Sequence, residues 1–234
     1  MLPLKYIDKL FVVALLLFLP EMVCGQEPVD TLSAAGSQAD TAGWKLPVLE
    51  GVRLGIDVSR LIGMAVDADR RFYELNTDFS FGRYLLSADV GTGRQNRFTE
   101  GLDYRTLGTY FRIGPDVNFI PDNKDNNAFF LGARYGWCTF EEQLNTIFTH
   151  TDWGSFPVYN ERRTTARWFE AVAGLKARVW DNFYLGYTMR LKFGLKVNDD
   201  SSFAAYEVPG FGKVGDGNTF AFNYHIFYRI PFTR

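Results

Sequence analysis

Cysteine is nearly missing from this 234-residue chain, which has two, and histidine also occurs only twice. No spaced Cys/His set is present to hold zinc, and no Gly-rich loop opens a helix to cradle phosphate. Basic charge is not in excess either: Lys+Arg 25 against Asp+Glu 27 leaves a net charge of -2. That balance lacks the electrostatic footprint of a nucleic-acid binder. Long apolar runs are missing beyond residue 19, which argues against a helical membrane bundle. Yet Phe 22, Tyr 12 and Trp 5 make 39 aromatic residues at a mean hydropathy of only -0.13. So many rings argue against disorder.

The one apolar run, residues 10–19, follows Lys5 and Lys9 and is broken by Pro20-Glu21. It falls short of the ~20 residues of a spanning helix. Charged, apolar and small-residue regions in that order predict a secretory signal over residues 1–25, cleaved after Gly25. Cys24 raises lipid attachment, but Met22 and Val23 suit that signal poorly, and plain cleavage is the preferred reading. Cys138 would then stand alone in the mature chain, which excludes an internal disulfide. Residues 26–50, rich in Ala, Ser, Thr, Gly, Asp and Pro, read as a flexible periplasmic tether.

From Gly51 to Arg234 the pattern has a period of two. Eight segments alternate, at 52–59, 72–81, 86–91, 107–119, 129–137, 169–179, 183–196 and 220–232. This period places apolar and polar residues on opposite faces of strands. Thirteen residues at ~3.3 Å each, tilted by ~40°, rise about 30 Å, comparable with the apolar thickness of a membrane. The connectors at 82–85, 120–128 and 180–182 are short, whereas those near 63–71, 93–103, 141–165 and 197–219 are mostly longer. Short turns on one rim and long loops on the other predict an all-β fold, an eight-stranded antiparallel up-and-down transmembrane β-barrel.

A soluble lipocalin-like barrel would show the same period with its apolar face inside. Gly55, Gly108, Gly114, Gly132, Gly136, Gly174, Gly186 and Gly194 share the polar face, and a narrow lumen needs small residues beside its long charged ones. The polar face is therefore the expected lumen. It carries Arg53, Asp57, Glu74, Asp78, Arg112, Arg134, Glu170, Lys176, Arg190 and Lys192, together with Asp89, Asp116 and Arg178. Unpaired charge in a tight interior is costly, so mutual pairing is expected ahead of a selectivity lining. The expected lipid-facing belt includes Phe183, Tyr187, Phe193, Phe220, Tyr224, Tyr228 and Phe232, with Leu195 on the same face.

Chemistry-bearing motifs are few. His225 falls on the lumen face, where a hydrogen-bonded packing role is expected. His150, Asp152 and Ser155 in the longest connector could form an activated-nucleophile set, but neighbours in sequence do not make a geometry, and no enzyme activity is expected. The Asp- and Asn-rich stretches at 122–127 and 198–202 lack the glycine and terminal glutamate of an EF-hand loop and read as turns. No metal or cofactor is expected.

Segments 51–60 (GVRLGIDVSR), 108–114 (GTYFRIG), 130–136 (FLGARYG), 168–174 (WFEAVAG) and 223–232 (NYHIFYRIPF), with Pro209-Gly-Phe-Gly212, resemble an uncharacterised family of exported Bacteroidetes β-barrel proteins. The closing aromatic strand also resembles the recognition signal of the barrel-insertion machinery, although Thr233 and Arg234 follow Phe232. The resemblance implies an outer-membrane barrel without an assigned activity. Expected partners are outer-membrane lipid, the insertion machinery and an extracellular ligand or protein, with no nucleic acid. The expected role is structural or surface-binding, through the long loops at 141–165 and 197–219; the alternatives are a narrow pore, a lipid-modifying enzyme and the soluble barrel.

Overall fold

The computed structural model describes residues 48–99, 102–150, 154–198, 205–215 and 217–232. The expected signal and most of the tether lie outside these residues. Where the tether ends, Glu50 donates its N–H to Ser80 and its carbonyl accepts from Phe232, so the chain is already in the sheet.

The elements in chain order are β1 (Gly51–Asp57), α1 (Val58–Val66), β2 (Arg70–Phe81), β3 (Tyr84–Thr99), β4 (Leu102–Asn118), β5 (Ala128–His150), β6 (Gly154–Trp180), β7 (Phe183–Asn198), β8 (Glu207–Val208), β9 (Gly212–Lys213) and β10 (Thr219–Pro231). Eight of them, β1 to β7 and β10, form a closed antiparallel barrel in which β1 pairs with both β2 and β10. From Ile56 the ladder runs through Leu75, Val90, Phe111 and Trp137 to Arg167 on β6. The other way round, through Ile226 and Leu185, it arrives at Ala177, ten residues further along the same strand. A stagger of that size in eight strands goes with a tilt of about 40° and an interior just wide enough for side chains. Closure leaves no strand edge along the paired part of the ring.

The short connectors take the forms their residues favour. Gly82 (φ 64°) sits in the turn between β2 and β3, and Asp181 (φ 45°) in the one between β6 and β7. In the 119–127 turn, Asn118 accepts from the backbone of Ile120 and Phe129, and Asn123 accepts from Asp125. These are the local side-chain bonds for which Asn and Asp are favoured in turns.

On the opposite rim the structure departs from the expected loops. The β5–β6 hairpin stays paired from Ala128↔Lys176 to His150↔Gly154, so most of 141–165 is strand. Likewise β3 and β4 stay paired to Thr99↔Leu102, replacing the expected connector at 93–103. Strands β3 to β6 thus rise past the ring as a four-stranded extension. The first strand ends at Asp57 rather than Ser59, because Asp57 serves as the N-cap of α1 and accepts from Arg60 N at 3.2 Å. Side-chain capping satisfies a donor that a helix start leaves free. The connector at 197–219 contains a small β8–β9 hairpin whose residues 205 and 207–211 are buried.

Two irregularities move side chains off the expected faces. Gly194 adopts φ 65°, a left-handed conformation that glycine reaches without steric cost, opposite a register shift between Arg167 and Phe169. Beyond it the alternation inverts: Gly194 and Lys196 point outward, while Leu195 and Val197 pack inward. A second shift lies between Arg178 and Trp180; Arg178, just before it, is exposed at the short-turn rim rather than buried with the other lumen charges, and pairs with Asp125 of the 119–127 turn.

Candidate functional site

Among the described residues, the lumen is where the buried charged side chains concentrate. All ten charged residues expected there, with Asp89 and Asp116, are buried inside the ring. They arise from strict alternation, so the same strands turn Leu54, Ile56, Leu75, Val90, Phe111, Leu185, Leu191 and Ile226 outward, where each is exposed. Of the expected belt, Phe183, Phe220, Tyr224, Tyr228 and Phe232 are exposed on that outer face. Tyr187 is half-buried against Tyr224 and Phe222, at ring distances of 5.1 and 6.0 Å, and Phe193 against Phe169 at 6.4 Å.

The charges pair in tiers. Nearest the short turns, Arg53 donates to Asp78 at 2.9 Å and to the carbonyl of Asn126 at 2.8 Å, and Lys176 also donates to Asp78. Arg134 grips Asp116 with both terminal nitrogens, and Ser87 donates to the same carboxylate at 2.7 Å. At mid-height Arg112 pairs with Glu74 and lies 3.2 Å from Asp89 and 3.5 Å from Glu170. Arg190 bridges the same acids, at 2.8 Å from Asp89, 3.2 Å from Glu170 and 3.8 Å from Glu74. Tyr110 donates to Glu74, Trp168 Nε1 to Glu170 at 2.8 Å, and Asn76 to Glu74 at 3.0 Å and Asp89 at 2.7 Å. Removing a charge from water costs several kcal/mol, and only near-complete pairing offsets it. Arg60 of α1 adds a third cation to this tier by reaching Glu74 at 2.9 Å.

Rings share the interior with the charges. Tyr104, Tyr110, Phe130, Phe140, Trp168, Tyr184 and Phe227 are all buried. Most lumen glycines make room for these rings and not for the long polar chains. A Cβ at Gly55 or Gly186 would overlap Phe227, one at Gly91 would overlap Tyr110, at Gly136 Trp168, and at Gly174 Phe130. The sequence signal for this was present in the glycines but read toward the wrong neighbours. Lys176 lies 4.8 Å from the centre of Phe130 and 4.9 Å from that of Phe227, a cation held over two ring faces.

The buried β8–β9 segment closes the long-hairpin end. Val208 and Phe211 pack with Tyr110, Cys138, Phe140, Ala166 and Trp168, and Phe211 meets Trp168 edge-on at 5.9 Å. Lys192 donates to the carbonyls of Gly210 and Phe211 at 2.7 and 3.0 Å. Arg70 pairs with Glu207 at 3.2 Å, and the Glu207 N–H donates to Tyr104 Oη at 3.3 Å. Above it, Glu142 accepts from Tyr104 and from Arg162, at 2.9 and 2.6 Å for the latter. On the exposed hairpin, Glu161 accepts from Tyr159 and Gln143, which holds its carboxyl below the usual carboxylate range.

His225 departs from its expected hydrogen-bonded role. It is buried, neither ring nitrogen has a hydrogen-bond partner, and the ring lies beside Phe227 at 5.4 Å. It borders a cavity of about 20 Å³, also lined by Asn76, Thr188 and Arg190, which has room for one water-sized molecule. Among the described residues, Asp57, Glu74 and His225 bring ligand-type atoms within 4.8 Å of one another. Arg60 already spans the two carboxylates, at 3.0 Å from Asp57 and 2.9 Å from Glu74, so the cation of this corner is a guanidinium. Of the His150, Asp152 and Ser155 set, the backbones of His150 and Ser155 pair with Gly154 and Thr149 across the hairpin, and Asp152 lies outside the described residues.

Fold and interior together define a closed eight-stranded β-barrel of inverted polarity, charged within and apolar without, whose lumen is filled from turn to plug. Residues 4–234 match the domain of unknown function DUF6048, and the chain belongs to that family. Comparison with curated proteins gives no match. Among solved structures, the chain is similar to the N-terminal β-barrel domain of Pseudomonas aeruginosa OprF, at 9% identity over 78% of this chain and 98% of that one, with a TM-score of 0.36. The barrel is read from its own strand ring.

Proposed function

We propose that this protein is an outer-membrane barrel that acts as an anchor and displays the β3–β6 extension outside the cell for recognition. The observation that carries the reading is the inverted polarity. Arg112, Glu170 and Asp116 are wholly buried, while the outer wall exposes apolar side chains in an unbroken ring, an arrangement that water disfavours and lipid favours. The Phe and Tyr residues of β7 and β10 are then the lipid-facing belt, and the short turns face the periplasm. The filled lumen supports an anchor over a pore. The extension ends in a hairpin with exposed Ile147, Phe156 and Tyr159, a surface with apolar and aromatic anchors of the kind binding sites use. Of the 197–219 connector, residues 205 and 207–211 are buried in the plug and lie outside this surface.

An epitope inserted between His150 and Gly154 should be bound by antibody on intact cells. The same epitope inserted at Lys124 in the 119–127 turn should be reached only after lysis. The reverse pattern would sink the orientation, and equal access to both would sink the membrane reading.

A further inference from the structure

β1 is the shortest strand of the ring, with seven residues. At ~3.3 Å per residue and a tilt of ~40° it rises about 18 Å, less than the apolar band of ~25 Å that a barrel of this kind presents to lipid. Its neighbours continue without it. β2 runs on past Leu75 to Arg70, and β10 runs on past His225 to Thr219, with no β1 residue opposite either stretch. Above Asp57 these two strands are not paired with each other, and α1 packs against both.

The helix has two unlike sides. Arg60 points into the lumen to Asp57 and Glu74, with its guanidinium 5.5 Å from the ring centre of Phe72. On the other side stand Leu61, Ile62, Ala65 and Val66, all exposed, Ile62 at 59% and Val66 at 84%. No charged residue occurs between Arg60 and Asp67. The apolar wall on either side continues at the same level, through Leu75 and Tyr73 on β2 and through Tyr224, Phe222 and Phe220 on β10. A helix satisfies its own backbone, so it can complete a wall in lipid where a strand stops short.

We propose that α1 is a section of the barrel wall, and that Leu61, Ile62, Ala65 and Val66 meet the acyl chains of the outer leaflet. The inference rests on the membrane-spanning reading above, and adds that the upper ring is seven strands and a helix. Arg60 holds this section shut from inside.

The test uses spin labels on full-length protein lacking other cysteines (Cys24→Ala, Cys138→Ala) in dioleoylphosphatidylcholine vesicles. Labels at Ile62→Cys and Val66→Cys are compared for collision with oxygen, which concentrates in lipid, and with chromium oxalate, which stays in water. Ile226→Cys at mid-wall and Ile147→Cys on the hairpin are the references. Labels on α1 should favour oxygen several-fold, as at Ile226, and oppose the preference at Ile147. Water-like behaviour at 62 and 66 with lipid-like behaviour at 226 would overturn the proposal alone. Water-like behaviour at 226 as well would overturn the membrane reading and the proposal with it. Each variant is first checked for heat-shifted gel migration, and Ala65→Cys, the smallest change on the same face, carries the test if another fails to fold.

Discussion

Arg112 holds the middle of the lumen together. Its guanidinium faces Glu74, Asp89 and Glu170 with no exposure to solvent, so Arg112→Met would leave three buried acids to Arg190 and Arg60. Breaking a buried ion pair from one side costs about 3–5 kcal/mol, and urea unfolding in detergent should register a loss of that order. Arg105→Ala, which removes an exposed pair with Asp103, should change stability by only ~0–1 kcal/mol. Gly136→Val makes a separate prediction, because its side chain would enter the space of the Trp168 ring. Overpacking of this kind costs about 1–3 kcal/mol, and a lower melting temperature by near-UV circular dichroism would report it. Alternation made Arg112 and its acids legible in the sequence. Arg60 was not, since it acts in the lumen from a helix outside the alternating pattern.

The strands were legible only while their two faces differed. Within the ring the outer face is apolar and the lumen face charged, and a period of two results. Above the wall both faces of the β5–β6 hairpin are polar or mixed, with Gln143 opposite Glu161 on one and Glu142 opposite Arg162 on the other, so the contrast vanishes although the hydrogen bonds persist. Hydrophobic period reports faces, not pairing, which is why 141–165 read as a loop. α1 was hidden by the opposite effect: Val58 continues the apolar alternation of β1, and the capping Asp57 looks like one more lumen residue. At Gly194 a left-handed turn resembled an ordinary small lumen residue. The plug carries its own prediction. Phe211→Ala empties a buried site against Trp168 and should cost about 3–5 kcal/mol. Planar-bilayer recordings of this variant should still show no conductance, because the Arg112 tier lies beneath the plug.

At the scale of the whole molecule, the fold class followed from eight alternating segments and the asymmetry of their connectors, and the ring has that number of strands. What the pattern could not supply was the stagger of ten, which depends on how neighbouring strands slide before they lock. A chain truncated before Thr219 would lose β10 and leave β1 and β7 with open edges. Such a chain should give no heat-shifted band on gels and should collect as aggregate, whereas a deletion confined to residues 144–160 should keep the shift.

The ring is sealed by its two most distant parts, Gly51 against Pro231. Every other seam joins strands that follow one another along the chain or flank the plug. Closure therefore depends on both ends of the barrel sequence at once, since the strand that completes the ring, β10, is also its last strand in chain order. Without β10 the remaining strands would keep two raw edges and leave part of the lumen charge set uncovered.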